Sequence, residues 1–156
     1  MLLQTRLTKE QALQKIKHYC SYQERCHNEV KSKLYTYGLR KSETEEIIAE
    51  IIENNYLNEE RFAILFAGGK FRMKQWGRHK IQYELQLKGI SSYLIRTALK
   101  EIEEEKYLKT LDKLAQTKWN SLKAGNALLR QSKTNAYLLQ KGYEQRLISQ
   151  AISKIK

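Results

Sequence analysis

Proline is absent from all 156 residues, and only seven glycines occur. No linker rich in proline, glycine or serine therefore separates one part of the chain from another. Strand-like runs of valine, threonine and isoleucine are also missing. What remains is dominated by lysine, glutamate, glutamine, leucine and alanine, all good helix formers, so the chain reads as all-α. No stretch approaches the ~18 consecutive apolar residues of a membrane span, and Met1–Lys9 lacks the apolar core of a signal peptide. Two cysteines without a secretory signal point to a reducing cytoplasm rather than a disulfide framework.

Acidic residues are the other shortage. Seventeen acids face 29 bases, a net charge of +12, and the excess is unevenly placed. Residues 42–60 carry seven acids and no base, whereas Arg61–Lys100 holds nine bases against Glu84 alone. Four acids follow in Glu101–Glu105, and from Lys106 onward eleven bases face Asp112 and Glu144. Basic blocks of this size favour a polyanion or an acidic protein groove as partner. The plainer alternative is a solvated helical surface.

The chain repeats itself. Gly38, Gly89 and Gly142 each stand four residues after a leucine (Leu34, Leu85, Leu138) and directly before Leu39, Ile90 and Tyr143. Beyond the second and third glycines the apolar positions coincide, Leu94, Ile95, Ala98, Leu99 and Ile102 matching Leu147, Ile148, Ala151, Ile152 and Ile155. The first copy keeps only the later positions, with Ile47, Ile48 and Ile51. A period of roughly 50 residues is at the long end for modular arrays. The spacings of three and four place one apolar stripe on each helix.

Nine helices in three sets follow, over about 8–22, 26–37 and 42–54, then 58–74, 78–88 and 91–104, then 107–122, 126–141 and 144–154. Thr8 with Gln11 and Ser42 with Glu45 read as capping boxes, and Asn58 as an N-cap backed by Glu59 and Glu60. Gly125 with Asn126 marks a break. The expected architecture is an elongated, curved tandem array of three three-helix, helix-turn-helix-like repeats, over residues 1–55, 56–105 and 106–156. Units this small lean on one another.

Catalytic and metal-binding patterns are weak. His18, Cys20, Cys26 and His27 have no recognised zinc spacing, and His18 and Cys20 point to different faces of one helix. Cys26 beside His27 lacks a third orienting group for a nucleophile. Gly68-Gly69 has no phosphate-loop context and is expected to relax a helix or admit a close neighbour. No enzyme and no cofactor are expected.

The segment from Tyr56 to Ile90 is more specific. It reads Tyr56-Leu57-Asn58-Glu59-Glu60-Arg61-Phe62-Ala63, then Lys70, Arg72 and Lys74, then Trp76-Gly77-Arg78-His79-Lys80-Ile81, Glu84-Leu85 and Lys88-Gly89-Ile90. With Cys26, Glu29, Val30, Lys33 and Leu34 upstream, this pattern resembles the RecX family, small bacterial regulators of the RecA recombinase. The resemblance covers about residues 10–105 well and the rest weakly. Departures are Cys26 where the family has a capping serine, Asn55 where it has glycine, and a third repeat without the central signature.

The resemblance implies a non-enzymatic, cytoplasmic monomer that lies in the groove of the RecA–single-stranded DNA filament and inhibits the recombinase, with a role in DNA repair and the SOS response. Partner-contact candidates are Arg61, Lys70, Arg72, Lys74, Arg78 and Lys80 in the central block. A second set is Lys113, Lys118, Lys123, Arg130, Lys133 and Lys141. Phe71 and Trp76 interleave with the first set, as core or as stacking groups, while Phe62, Phe66, Ile81 and Leu85 are expected in the core. Two rivals remain: a helix-turn-helix DNA-binding protein acting without RecA, and an adaptor for acidic proteins. The helices after Gly38 and Gly89 begin or end in acids, and Ser42–Glu53 carries five glutamates and no base, which argues against a readout helix there, whereas Gln145, Arg146 and Gln150 make the last helix a fairer one.

Overall fold

The computed structural model describes residues 6–123 and 125–155, so the start of Met1–Lys9 lies outside the described residues. Among them are nine α-helices and no strand. The first unit contains α1 (Lys9–Tyr22), α2 (His27–Thr36) and α3 (Lys41–Glu53). The second contains α4 (Glu59–Lys74), α5 (Arg78–Leu87) and α6 (Ser92–Lys100), and the third α7 (Glu104–Ser121), α8 (Ala127–Lys141) and α9 (Gln145–Ser153).

The leucine-to-glycine spacing is a helix stop. Gly89 and Gly142 adopt φ of +79° and +102°, where a side chain is strained. The next residue then turns back on the helix: Ile90 N–H donates to the Leu85 carbonyl, and Tyr143 N–H to that of Leu138, each at 3.1 Å. This six-residue closure satisfies a terminal carbonyl and brings the two apolar side chains together, which is why the leucine and the residue after glycine are both apolar. Asn55, in the family's glycine position, has φ +65°, and Tyr56 N–H closes onto the Ile51 carbonyl at 2.8 Å. Asparagine tolerates this region better than other side chains do.

Helix starts follow local capping with one shift. Thr8 and Gln11 exchange hydrogen bonds as a capping box, and Asn58, Ser91 and Asn126 each accept from the backbone N–H three residues on. The expected box of Ser42 and Glu45 is displaced by two residues. Glu43 reaches back to the Arg40 N–H at 3.0 Å and also holds Arg6 at 2.7 Å, so α3 starts at Lys41. The expected helix to Glu104 instead stops at Lys100, because Ile102 turns into the core. Glu104 and Glu105 then occupy the first turn of α7, where the helix dipole favours acids.

Two cores form beneath three units. The first unit buries Ala12, Ile16 and Cys20 of α1 against Val30, Leu34, Ile47 and Ile51. The second and third units share a single core, in which Phe71, Ile81 and Leu85 meet Tyr107, Leu111, Leu138 and Tyr143. Cys26 is the first-unit residue that reaches into it. Phe62 is buried as expected, and Phe66 and Trp76 are half-buried against the same cluster.

Candidate partner and nucleic-acid interface

The joint between the second and third units decides which basic groups are free. The glycine turn before α9 lies against the start of α5: Gly77 N–H donates to the Lys141 carbonyl at 2.8 Å, and His79 N–H to that of Gly142 at 2.9 Å. A methyl group on Gly77 would strike the Gly142 backbone, and one on Gly142 would strike Lys80. Tyr107 is buried beside Tyr143, ring centroids 5.1 Å apart, and its hydroxyl accepts from the Arg78 N–H at 2.9 Å while donating to Glu144. The Arg78 guanidinium lies 3.8 Å from the Tyr107 ring centre and donates to Glu144 at 2.7 Å and to Glu104. Burial opposes the charge of Glu144, but the bonds from Tyr107 and Arg78 outweigh it and hold its pKa below the ordinary carboxylate value. Burial first, and then the bond to Glu144, pushes the Tyr107 phenol well up, so it stays protonated.

Arg61 is similarly committed. Its Nε donates to Glu24 at 2.7 Å, and its terminal nitrogens reach the Asn55 side chain and carbonyl at 3.2 and 3.1 Å. Glu59 accepts the His27 N–H at 3.0 Å, and Asn28 donates to the Lys88 carbonyl at 3.2 Å. Arg61 and Arg78 thus tie one unit to the next rather than standing out as free cations.

The other central candidates divide in two. Lys70 and Lys80 converge on Trp76, their Nζ atoms 5.1 and 4.7 Å from its ring centre. Trp76 packs edge-on against Phe66 at 6.4 Å, and Lys70 and Lys88 cover Phe66 at 5.4 and 5.7 Å. Lys88 was missed among the candidates although it stands in the quoted Lys-Gly-Ile motif, which was its signal; its nearest carboxylate is Glu29 at 3.9 Å. Arg72 and Lys74 are exposed at the end of α4. Gly68 and Gly69 lie inside α4, and the space beside Gly69 is open, so the expected close approach of a second helix is not what its missing side chain serves.

In the third unit Lys118 and Lys141 flank the Tyr137 ring at 5.0 and 6.0 Å. Arg130 stacks 4.4 Å from the Trp119 ring centre and donates to the Trp119 carbonyl at 2.8 Å, which assigns the tryptophan a local partner. Lys113, Lys123 and Lys133 are exposed and are not drawn together with the others by any ion pair among the described residues. Cys20 and Cys26 sit in different cores, and burial raises both thiols to about 11, above the range of a reactive thiolate. Among the described residues, no three His, Cys, Asp or Glu side chains are grouped to hold a metal ion, and no helix is long and apolar enough to cross a membrane.

Comparison with known proteins places this geometry. Residues 58–99 match the family model of the second three-helix domain of RecX, and residues 104–152 that of the third. The chain is 26% identical over 138 residues to the regulatory protein RecX of Bacillus cytotoxicus, covering 88% of this chain and 51% of that protein. It is 33% identical over 118 residues to that of Clostridium perfringens, covering 74% and 55%. The chain therefore spans about half the length of the curated relatives it matches. Its fold superposes on the crystal structure of RecX from Lactobacillus salivarius with a TM-score of 0.87, at 23% identity over 94% of this chain and 96% of that one.

Proposed function

The chain belongs to the RecX family of regulatory proteins, and from that membership we infer that it is a non-enzymatic regulator of a RecA-type recombinase. It lies along the recombinase–single-stranded DNA filament and inhibits its activity, acting in the bacterial cytoplasm as a monomer. The observation that carries this reading is the cluster of Lys70, Lys80 and Lys88 around Phe66 and Trp76, with Arg72 and Lys74 exposed close by in sequence on α4. Lys70 and Lys80, unlike Lys88 with Glu29 nearby, have no carboxylate partner among the described residues, so these ring-held cations keep their charge for phosphates or an acidic groove. Several such contacts made together give tight binding without a deep pocket.

The test is DNA-dependent ATP hydrolysis by a bacterial RecA while this protein is titrated at substoichiometric amounts. Inhibition well below one protein per recombinase is expected, and its absence overturns the reading. Reversing the charge of Arg72 and Lys74 together should weaken inhibition at unchanged helical content. Arg78 is left out of that variant because its reversal would break the joint with Glu144. A readout helix acting without RecA has less support, since Gln145 of α9 is tied to Asn135 by reciprocal amide bonds at 3.2 and 2.6 Å.

A further inference from the structure

The first unit, which the sequence patterns left without a binding role, carries an open groove of about 520 Å³ between α1 and α2. Its walls bear Lys15, Arg25 and Lys33 and no carboxylate. Three tyrosines interleave with them. Lys15 and Lys33 lie over the groove's Tyr37 at 5.9 and 6.0 Å, and Lys33 also reaches Tyr19 at 5.4 Å. The Arg25 guanidinium lies over the Tyr19 ring at 3.7 Å, with its Nε donating to the Tyr19 carbonyl at 3.1 Å. Tyr22, at the end of α1, is 78% exposed. An aromatic side chain this open contributes nothing to the core.

The groove does not end in the first unit. Tyr19 and Lys33 also line a neighbouring cleft of about 470 Å³ that runs to Leu87 and Lys88 of the second unit, with Glu29 on its wall. Lys88 covers Phe66 together with Lys70, and from there Trp76 and Lys80 follow. Cations and rings thus alternate from α1 into α5.

We propose that this alternating track binds single-stranded nucleic acid, with a base stacked on Tyr22 and phosphates held by Lys15, Arg25 and Lys33 before the strand passes to Lys88. A strand presents a phosphate and a ring at each step, and cations interleaved with aromatic side chains complement that alternation. A duplex hides its ring faces and offers Tyr22 nothing to stack on. An acidic protein segment would use the cations but not the exposed ring. The proposal rests on the recombinase reading only for a strand being at hand, and its test needs no recombinase.

The experiment is a fluorescence-anisotropy titration of a labelled thymidine oligonucleotide with the full chain at several salt concentrations. Tyr22→Ala should weaken binding at least about fivefold, the lower bound for one lost base stack, whereas Tyr22→Phe should bind as the parent does. Lys33→Gln should reduce the salt slope by about 0.7, one single-strand phosphate contact. Undiminished affinity in Tyr22→Ala overturns the proposal. So does an oligoglutamate probe that binds the parent as tightly as the oligonucleotide does, which would assign the groove to an acidic protein. Recombinase inhibition measured on the same parent separates the two readings: its absence alongside Tyr22-dependent strand binding removes the regulator and leaves the track.

Discussion

The two joints between successive units share one geometry and differ in chemistry. In each, the glycine turn of the later unit lies against the start of the earlier unit's middle helix. At the first joint the turn of Lys88, Gly89 and Ile90 meets Asn28 of α2, and the contact is made by side chains, supported by Glu59 and Arg61. At the second, the turn of Lys141, Gly142 and Tyr143 meets Gly77 and His79 backbone to backbone, over a core that both units fill. Side chains can shift to absorb a change, whereas two backbones in contact cannot. The first joint is adjustable and the second is locked, so the second and third units should behave as one body and the first as another.

The largest effect that could break this contrast is at the glycines. Gly142→Ala adds backbone strain at positive φ to a clash with Lys80 and should destabilise the second body by about 3 kcal/mol or more. Gly89→Ala incurs similar strain but meets only the amide end of Asn28, which can swing away, and should cost about 1 kcal/mol. Urea unfolding followed by tryptophan fluorescence reads this directly, because Trp76 and Trp119 both lie in the second body. Equal losses for the two variants would mean that the joints are alike.

A smaller effect sharpens the electrostatic side. Glu144→Gln leaves half-buried Arg78 with only the more exposed Glu104 as charged partner and should cost about 2 kcal/mol, against about 1 kcal/mol for Glu59→Gln at the more open joint. Because the folded pKa of Glu144 is depressed, its contribution is complete above the ordinary carboxylate value of 4.5 and is lost as pH falls through the lowered folded value. The stability gap between the parent and Glu144→Gln should therefore narrow on acidification below that value. A gap that stays constant to low pH would show that the charge of Glu144 is not what holds the joint.

The smallest effect lies outside both joints. Gly69 is inside α4 beside open space, so Gly69→Ala should stabilise the second body by up to about 1 kcal/mol and leave the first unchanged. Segment-resolved hydrogen exchange checks both halves of that statement. A matching rise in protection of α1–α3 would show the two bodies unfolding together.

Much of the fold was legible because its signals are local. The capping pairs of α1 and α4 act across three residues, and the leucine–glycine turns across six. The shifted start of α3 shows the limit: Ser42 and Glu45 have the right spacing, but Glu43 is also drawn to Arg6, from 37 residues away. The candidate site was legible only in part for the same reason. Arg61 and Arg78 looked like the other bases of an acid-poor block, since the block contains only Glu84. Their partners, Glu24, Glu104 and Glu144, stand in other segments and arrive by folding. The tyrosine groove was not legible because Lys33 of α2 and the rings of α1 and the α2 turn meet only when the helices pack.

By itself the sequence determined the helices, those of their ends set by local caps and glycine turns, the threefold repeat and the excess of positive charge, because hydrogen bonds within one turn and apolar spacing along one helix need no distant partner. Only the tertiary structure decided that three units enclose two cores, which cations are spent on the fold, and which lie half-buried over aromatic rings. Neutralising a charge requires an opposite charge within a few ångströms, and for Arg61 and Arg78 that neighbour lies 26 to 66 residues away along the chain.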